Sequence, residues 1–219
     1  MKVTWLGQAG LLVKAGGLTV MIDPYLSNSV GKQRYTPIDE SVFTVKPDVM
    51  VFTHDHLDHY DTDTVPHFLG EGSACTVLAP KSAWQKARTF GGANNYVQFD
   101  RHTRWTEGVI RFTAVKAVHS DDYAIGVIID DGKKKLYITG DTLYNEEIFA
   151  DLPKGIHAVF LPINGAGNNM NMTDAADFAK RTKASIVVPI HYGMFDTIDP
   201  AAFAVRNKKI LKVYEETEL

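Results

Sequence analysis

Apolar residues in this chain fall in short runs bounded by Gly, Pro, Asn and Asp, not in the sustained i, i+3, i+4 stripes of a helical protein. Strands are predicted over 3–6 and 11–14, on either side of the turn Gly7-Gln8-Ala9-Gly10, and over 18–22 after the hairpin dipeptide Gly16-Gly17. Asp23-Pro24 stops that strand. The runs 49–52, 75–79, 158–161 and 186–190 are continuously apolar, the pattern of strands covered on both faces. Further strands are expected over 96–99 and 109–118, and 123–129 and 134–139 flank Asp131-Gly132 as a second hairpin. Helical signals cover 81–90 after Pro80, 145–150 from a cap at Asn145, 173–181 from a cap at Thr173, and about 200–207 from Asp199-Pro200. An edge strand over 210–214 closes the list of elements, and 25–46 reads as a long ordered loop, a length usually kept for function.

Each half of the chain places hairpin strands first and β-α-β elements after. That order predicts an α/β (α+β) protein with two mixed sheets packed together and helices outside, four layers in one domain over 1–219. Composition adds limits to this picture. With 45% hydrophobic and 22% charged residues, the 219-residue chain can bury a substantial core. A net charge of −3 gives no basic footprint for nucleic acid or anionic membranes. No apolar run approaches a membrane span, and the start of the chain enters a strand pattern without the apolar core of a signal peptide. Cys75, the only cysteine, leaves neither an intrachain disulfide nor a thiolate cluster. The expectation is a soluble cytoplasmic protein with a small-molecule substrate, with neither nucleic acid nor membrane as partner, and with homo-oligomerisation left open. Lys133-Lys134-Lys135 sits at the tip of the second hairpin and reads as a solvated edge.

The chemistry concentrates in His54-Asp55-His56-Leu57-Asp58-His59, directly after the apolar run that ends at Thr53. Residues two apart in extended chain project to one side, so His54 and His56 can converge on one ion. A turn at Leu57 would bring Asp58 and His59 to a second position beside it. Imidazole with carboxylate suits zinc, iron, manganese or nickel better than calcium or magnesium, which prefer all-oxygen shells. A polar loop needs no such spacing. Three further strand ends carry metal-capable residues: His119 after the run 112–118, Asp141 after 136–140 and His191 after 186–190. His67, His102 and His157 fall outside the pattern and read as ordinary surface or loop residues.

This set, H-x-H-x-D-H, then His, then Asp in Thr139-Gly140-Asp141-Thr142, then His191, resembles the metallo-β-lactamase-fold hydrolase superfamily, and Ile22-Asp23-Pro24 is similar to its first motif. The resemblance runs from Val3 to His191. It implies an αββα sandwich with the site at one edge of the two sheets and two divalent ions, Zn or Mn first, Fe or Ni next. It assigns His54, His56 and His119 to one ion, Asp58, His59 and His191 to a second, Asp141 to both, and Asp23 to bracing the metal loop. Trp5-Leu6-Gly7 and Pro189-Ile190-His191-Tyr192 resemble the compact metal-dependent hydrolases of that superfamily. Those relatives carry His-Ser where this chain has Gln8-Ala9. Pro162-Ile163-Asn164-Gly165 with Asn171-Met172-Thr173 is similar to a segment of the longer L-ascorbate-6-phosphate lactonases, shortened here between Gly165 and Asn171.

The expected reaction is hydrolysis of a small ester or lactone, phosphorylated or not, by a metal-bound hydroxide, with Asp58 as ligand and proton carrier. A phosphodiesterase of the same fold is the nearest alternative, and a non-hydrolytic mononuclear iron oxygenase or metal sensor the next. Asn164, Asn171 and Tyr192 are candidate substrate contacts, turn formation being the competing account of the two Asn. Lys32, Arg34 and Tyr35 in the long loop are weaker candidates for a phosphate.

Overall fold

The short apolar runs give the central strands two buried faces, and two sheets and a few helices cover them. The computed structural model describes residues 1–31, 37–70 and 72–219. Strands β1 (Lys2–Gly7), β2 (Gly10–Ala15), β3 (Leu18–Ile22), β4 (Val49–Val51), β5 (Thr76–Ala79), β6 (Asn95–Gln98) and β13 (Glu216–Glu218) form a seven-stranded sheet ordered β13-β1-β2-β3-β4-β5-β6. Strands β7 (Arg104–Glu107), β8 (Ile110–Lys116), β9 (Ile125–Asp130), β10 (Lys135–Ile138), β11 (Ala158–Pro162) and β12 (Ile186–Ile190) form a six-stranded sheet ordered β12-β11-β10-β9-β8-β7. Both sheets are mixed: the hairpin pairs β2/β3 and β9/β10 are antiparallel, whereas β3/β4/β5/β6 and β10/β11/β12 run parallel.

The layering follows from side-chain parity. Val20, Ile22, Val49, Val51 and Leu78 point into the core shared with Phe112, Val127, Ile129 and Leu136 of the other sheet. Their neighbours Met21, Met50, Val77 and Ala79 point outward against α1 (Val65–Leu69) and α2 (Lys81–Ala87), through Val65, Phe68, Ala83 and Ala87. On the far side, α3 (Met172–Thr182) lays Phe178 over Tyr137 and Phe149. Helix, sheet, sheet, helix: the four-layer αββα sandwich is the observed architecture. No described helix is long and apolar enough to cross a membrane.

Several elements differ from the periodicity. The helix expected to run to about Asn207 is only a 3-10 turn over Pro200–Ala202: Asp199 caps it, but the core contacts that follow, Phe203 and Val205, fall two apart, an extended and not a helical spacing. The edge strand expected over 210–214 is reduced to a single bridge between Trp5 and Val213, and the pairing with β1 is made by Glu216–Glu218. The cap of helix α3 lies two residues before the expected one: Asn171, not Thr173, accepts hydrogen bonds from Thr173 N and Asp174 N. The short edge strand β7 and the single-turn helix α1 were not expected, because their few residues carry no sustained period. The helix after Pro80 continues only as a 3-10 turn beyond Ala87 before Gly91 ends it.

Candidate metal centre

Loops leaving the strands at one rim carry the metal-capable side chains, and both sheets contribute. The loop after β4 supplies His54, His56, Asp58 and His59, while β8, β10 and β12 lead to His119, Asp141 and His191. The sheets meet closely here: Ile125 N of the second sheet donates to Thr53 O of the first at 3.0 Å. Gly140 is required at this contact, since a Cβ would lie 2.9 Å from Thr53 Cβ and its φ is +62°.

Three metal-capable groups result among the described residues: two follow the grouping the resemblance implies, and the third joins Asp23 to His54 and His59. His54, His56 and His119 offer one nitrogen each within 4.8 Å of one another, and Asp58, His59 and His191 meet the same limit. Asp141 lies between them, with Oδ1 3.2 Å from His59 Nε2 and Oδ2 3.2 Å from His191 Nε2 and 4.0 Å from His119 Nε2. All the metal-capable residues singled out in the sequence are thus brought together. A His/Asp metal-binding cluster is present, and its donors fit a divalent transition ion. His119 Nε2 and His56 Nδ1 approach to 3.0 Å, and His54 Nε2 is buried without a hydrogen-bond partner. A buried polar atom so left costs about 1–3 kcal/mol unless a ligand takes it.

Hydrogen bonds behind the imidazoles set which nitrogen is free. Asp23 is fully buried, and its carboxylate can only accept. His59 Nδ1 therefore carries the proton it shares with Asp23 Oδ2 at 2.8 Å, which leaves Nε2 as the ligating atom. Thr53 donates to the same Asp23 through N (2.8 Å) and Oγ1 (2.5 Å). With its proton committed there, Thr53 Oγ1 accepts from His54 Nδ1 at 3.0 Å, and His54 likewise presents Nε2. His119 Nδ1 donates to Asn168 O at 3.3 Å with the same result. Asp23 thus contacts two imidazoles, His59 directly and His54 through Thr53.

Charge divides the two triads. Burial pushes the His54 and His119 imidazoles down, helped at His54 by the neighbouring His59, so both are neutral with lone pairs available. Burial would also lower His191 and His59, but Asp141 and Asp58 outweigh it, lifting His191 to about 9 and His59 well above the ordinary imidazole range. The carboxyls of Asp141 and Asp58 respond in kind, held far below the carboxylate range by His191 and His59 despite desolvation. Backbone strain gathers here as well. Of the seven non-glycine residues with positive φ among those described, Gln8 (50°), Asp23 (42°), Asn168 (61°) and His191 (57°) belong to or touch this centre.

Residues 19–192 match the family described as Beta-lactamase superfamily domain. The chain belongs to that family. A UPF0173 metal-dependent hydrolase of Geobacillus thermodenitrificans is 31% identical over 223 residues, covering 93% of this chain and 91% of that protein. Among solved structures, Igni18, a metallo hydrolase of the archaeon Ignicoccus hospitalis, superposes with a TM-score of 0.81 at 21% identity, covering 99% of this chain and 97% of that one. An isothiocyanate hydrolase from Delia radicum gut bacteria gives a TM-score of 0.78 at 16% identity, covering 100% and 99% of the two chains. At these identities the two structures establish the β-lactamase superfamily fold.

Around this β-lactamase-type centre the expected substrate contacts fare unevenly. The Asn171 side-chain oxygen caps α3, receiving Thr173 N at 2.8 Å and Asp174 N at 3.0 Å, so turn chemistry accounts for it and it is corrected to a structural residue. Asn164 pairs with Asn171 through a single bridge and keeps its Oδ1 buried without a partner. Tyr192 is buried with its ring 5.0 Å from Trp5, a packing contact, and desolvation lifts its hydroxyl to about 12. Lys32, Arg34 and Tyr35 lie outside the described residues. His67, His102 and His157 belong to none of the metal-capable groups among the described residues.

Four polar residues were not legible. Asn169 donates to Asp141 Oδ2 at 2.7 Å and accepts from Thr142 N at 2.9 Å. Gln8 donates to Asp58 Oδ2 at 2.8 Å. Asp61 receives the hydroxyls of Ser27 and Ser29, both at 2.9 Å, and that of Thr64, tying the loop after β3 to α1. Asp121 accepts from Asp55 N at 3.3 Å and Ser82 Oγ at 2.6 Å, joining the His119 loop to the His54 loop. Gln8, Asn169 and Asp121 meet the partners named here across tertiary contacts, and Asp61 meets Ser27 and Ser29 in the same way, so no spacing signal links them.

Proposed function

We propose that the chain is a metal-dependent hydrolase of small esters or lactones that uses two divalent ions. His54, His56 and His119 would hold one ion and Asp58, His59 and His191 the other, with Asp141 within reach of both sets. The observation that carries this reading is the reach of Asp141, 3.2 Å from both His59 and His191 and 4.0 Å from His119. The Geobacillus thermodenitrificans relative, itself called a metal-dependent hydrolase, supports the same direction. Bound divalent ions supply water acidified from a pKa of about 15.7 toward about 7 and a positive charge that polarises the scissile group.

The chain's own groups divide the remaining work. Asp141 is only 6% exposed along its side chain and is held by Asn169, which suits a fixed ligand. Asp58 is 20% exposed, so of the two carboxylates it is the one within reach of solvent and substrate. Ionised at neutral pH, it can take a proton from water and pass it to the leaving oxygen. His59 is sealed from solvent and tethered by Asp23, which suits orientation and not proton exchange.

The test uses metal-stripped protein reloaded with Mn²⁺ and three substrates: a sugar-acid lactone 6-phosphate, the unphosphorylated lactone and a phosphodiester. Lactone turnover that requires the metal and is lost in Asp141→Ala is the expected result. Asp58→Asn should lower kcat by roughly 10²-fold or more with little change in KM. A fully metallated protein that cleaves the phosphodiester alone would replace the substrate class, and one that cleaves nothing would overturn the hydrolase reading.

A further inference from the structure

Among the described residues, Gln8 is the one neutral side chain hydrogen-bonded into the Asp58–His191 pair. It is 1% exposed, and it is held at φ +50° in the turn between β1 and β2. Its backbone carbonyl accepts from Trp5 Nε1 at 3.0 Å and from His191 N at 2.9 Å, so the turn is clamped to the strand end that carries His191. Its side-chain nitrogen lies 2.8 Å from Asp58 Oδ2, 3.0 Å from His191 Nε2 and 3.3 Å from His191 Nδ1. The amide orientation follows from chemistry: its oxygen in that place would face a carboxylate, acceptor against acceptor.

We infer that Gln8 is a positioning residue that makes the two metal positions unequal, its amide donor occupying the Asp58 oxygen that the second ion needs and crowding His191 Nε2 at 3.0 Å. The inference rests on reading the centre as a two-ion site. The first triad holds one internal contact, His119 Nε2 to His56 Nδ1 at 3.0 Å, but among the described residues no side chain from outside it donates to its ligand atoms, and His54 Nε2 has no partner. The first ion therefore meets only a neutral imidazole–imidazole contact, whereas the second must displace a charge-assisted hydrogen bond. The protein fills in order, and at limiting metal it carries one ion on His54, His56 and His119.

The decisive experiment titrates metal-stripped full-length protein with Zn²⁺ by calorimetry and repeats the loading with Mn²⁺ under electron paramagnetic resonance, where an exchange-coupled pair reports double occupancy. Wild type should bind the second ion at least about tenfold more weakly than the first, the scale on which outer partners alter metal affinity. Gln8→Met keeps the length and removes the donor. It should leave the first affinity unchanged, tighten the second roughly tenfold, and bring the coupled signal in at lower Mn²⁺. Equal affinities in wild type, or a second ion bound as well or more weakly without the amide, would overturn the inference. The weaker-binding result would identify Gln8 as a support of the second ion. Should Gln8→Met fail to fold, Gln8→Leu removes the same donor without adding a ligand and is read by the same criteria. Failure of any protein to hold two ions would overturn the two-ion reading itself, an outcome distinct from two ions bound equally.

Discussion

Asp23→Asn tests how the metal ligands are oriented. Asn is isosteric with Asp and tolerates the positive φ of 42° at this position better than other side chains, so the backbone need not move. The carboxylate accepts three hydrogen bonds: Thr53 N at 2.8 Å, Thr53 Oγ1 at 2.5 Å and His59 Nδ1 at 2.8 Å. The amide oxygen can keep Thr53 N, but the amide nitrogen then faces two groups that had been donating. His59 must move its proton to Nε2, the atom required for the ion, and Thr53 must reverse its hydroxyl, which releases His54. Two oriented imidazoles are affected, and each outer partner lost weakens metal binding by about 10- to 100-fold. We expect Zn²⁺ affinity to fall by at least about 10²-fold. The loss of two hydrogen bonds to a charged acceptor should also cost the fold about 3–6 kcal/mol before relaxation. Competition with a chelating dye measures the first quantity, and the downfield Nδ1–H proton resonance of His59, present in wild type and lost in the variant, checks the tautomer. Wild-type affinity in Asp23→Asn, with Asp141→Ala clearly impaired in the same assay, would refute the bracing argument.

Three further outcomes follow from the same contacts. Asn169→Ala should destabilise the protein by about 1–3 kcal/mol in urea unfolding and reduce bound metal, because it strips a donor from Asp141 and an acceptor from Thr142 N. Asp61→Ala leaves the hydroxyls of Ser27, Ser29 and Thr64 without their shared acceptor, and should cost about 3 kcal/mol or more while exposing the loop after β3 to proteolysis. Without metal, the elevated His191 contributes stability that is complete below the ordinary imidazole pKa and disappears as pH rises through about 9. Asp58 and Asp141, shifted downward, contribute stability present above the ordinary carboxylate range and lost in acid. Melting temperature in chelator should thus be highest in mildly acidic buffer and fall on both sides. Metal affinity, in contrast, should climb with pH as the proton leaves His191.

What the sequence discloses depends on whether a property is local. The six residues from His54 to His59 announce themselves because a turn after β4 is enough to gather them. His119, Asp141 and His191 are legible because each follows a strand whose apolar run marks its end. The hairpins at Gly16-Gly17 and Asp131-Gly132 succeed for the same reason, as do the continuously apolar parallel strands. Gln8 and Asn169 fail this test. Gln8 lies 50 positions from Asp58 and 183 from His191, and Asn169 lies 28 from Asp141, so no periodicity links them. Asn171 shows the opposite hazard: it sits in a promising loop, yet its side chain serves the nearest helix. The overextended helix after Asp199-Pro200 shows that a sound cap does not supply the packing a helix requires.

The close meeting of the sheets at Thr53, Gly140 and Ile125 has a mechanical consequence. His54, His56, Asp58 and His59 hang from one sheet, and His119, Asp141 and His191 from the other. An ion held by both sets acts as a rivet through the sandwich, and it binds only where the sheets are docked. Occupancy therefore opposes their sliding apart by RT ln(1 + [M]/Kd), a contribution that grows with free metal. The catalytic rim and the fastening of the two halves are one object, so metal starvation would loosen the architecture through the same residues by which it silences the chemistry.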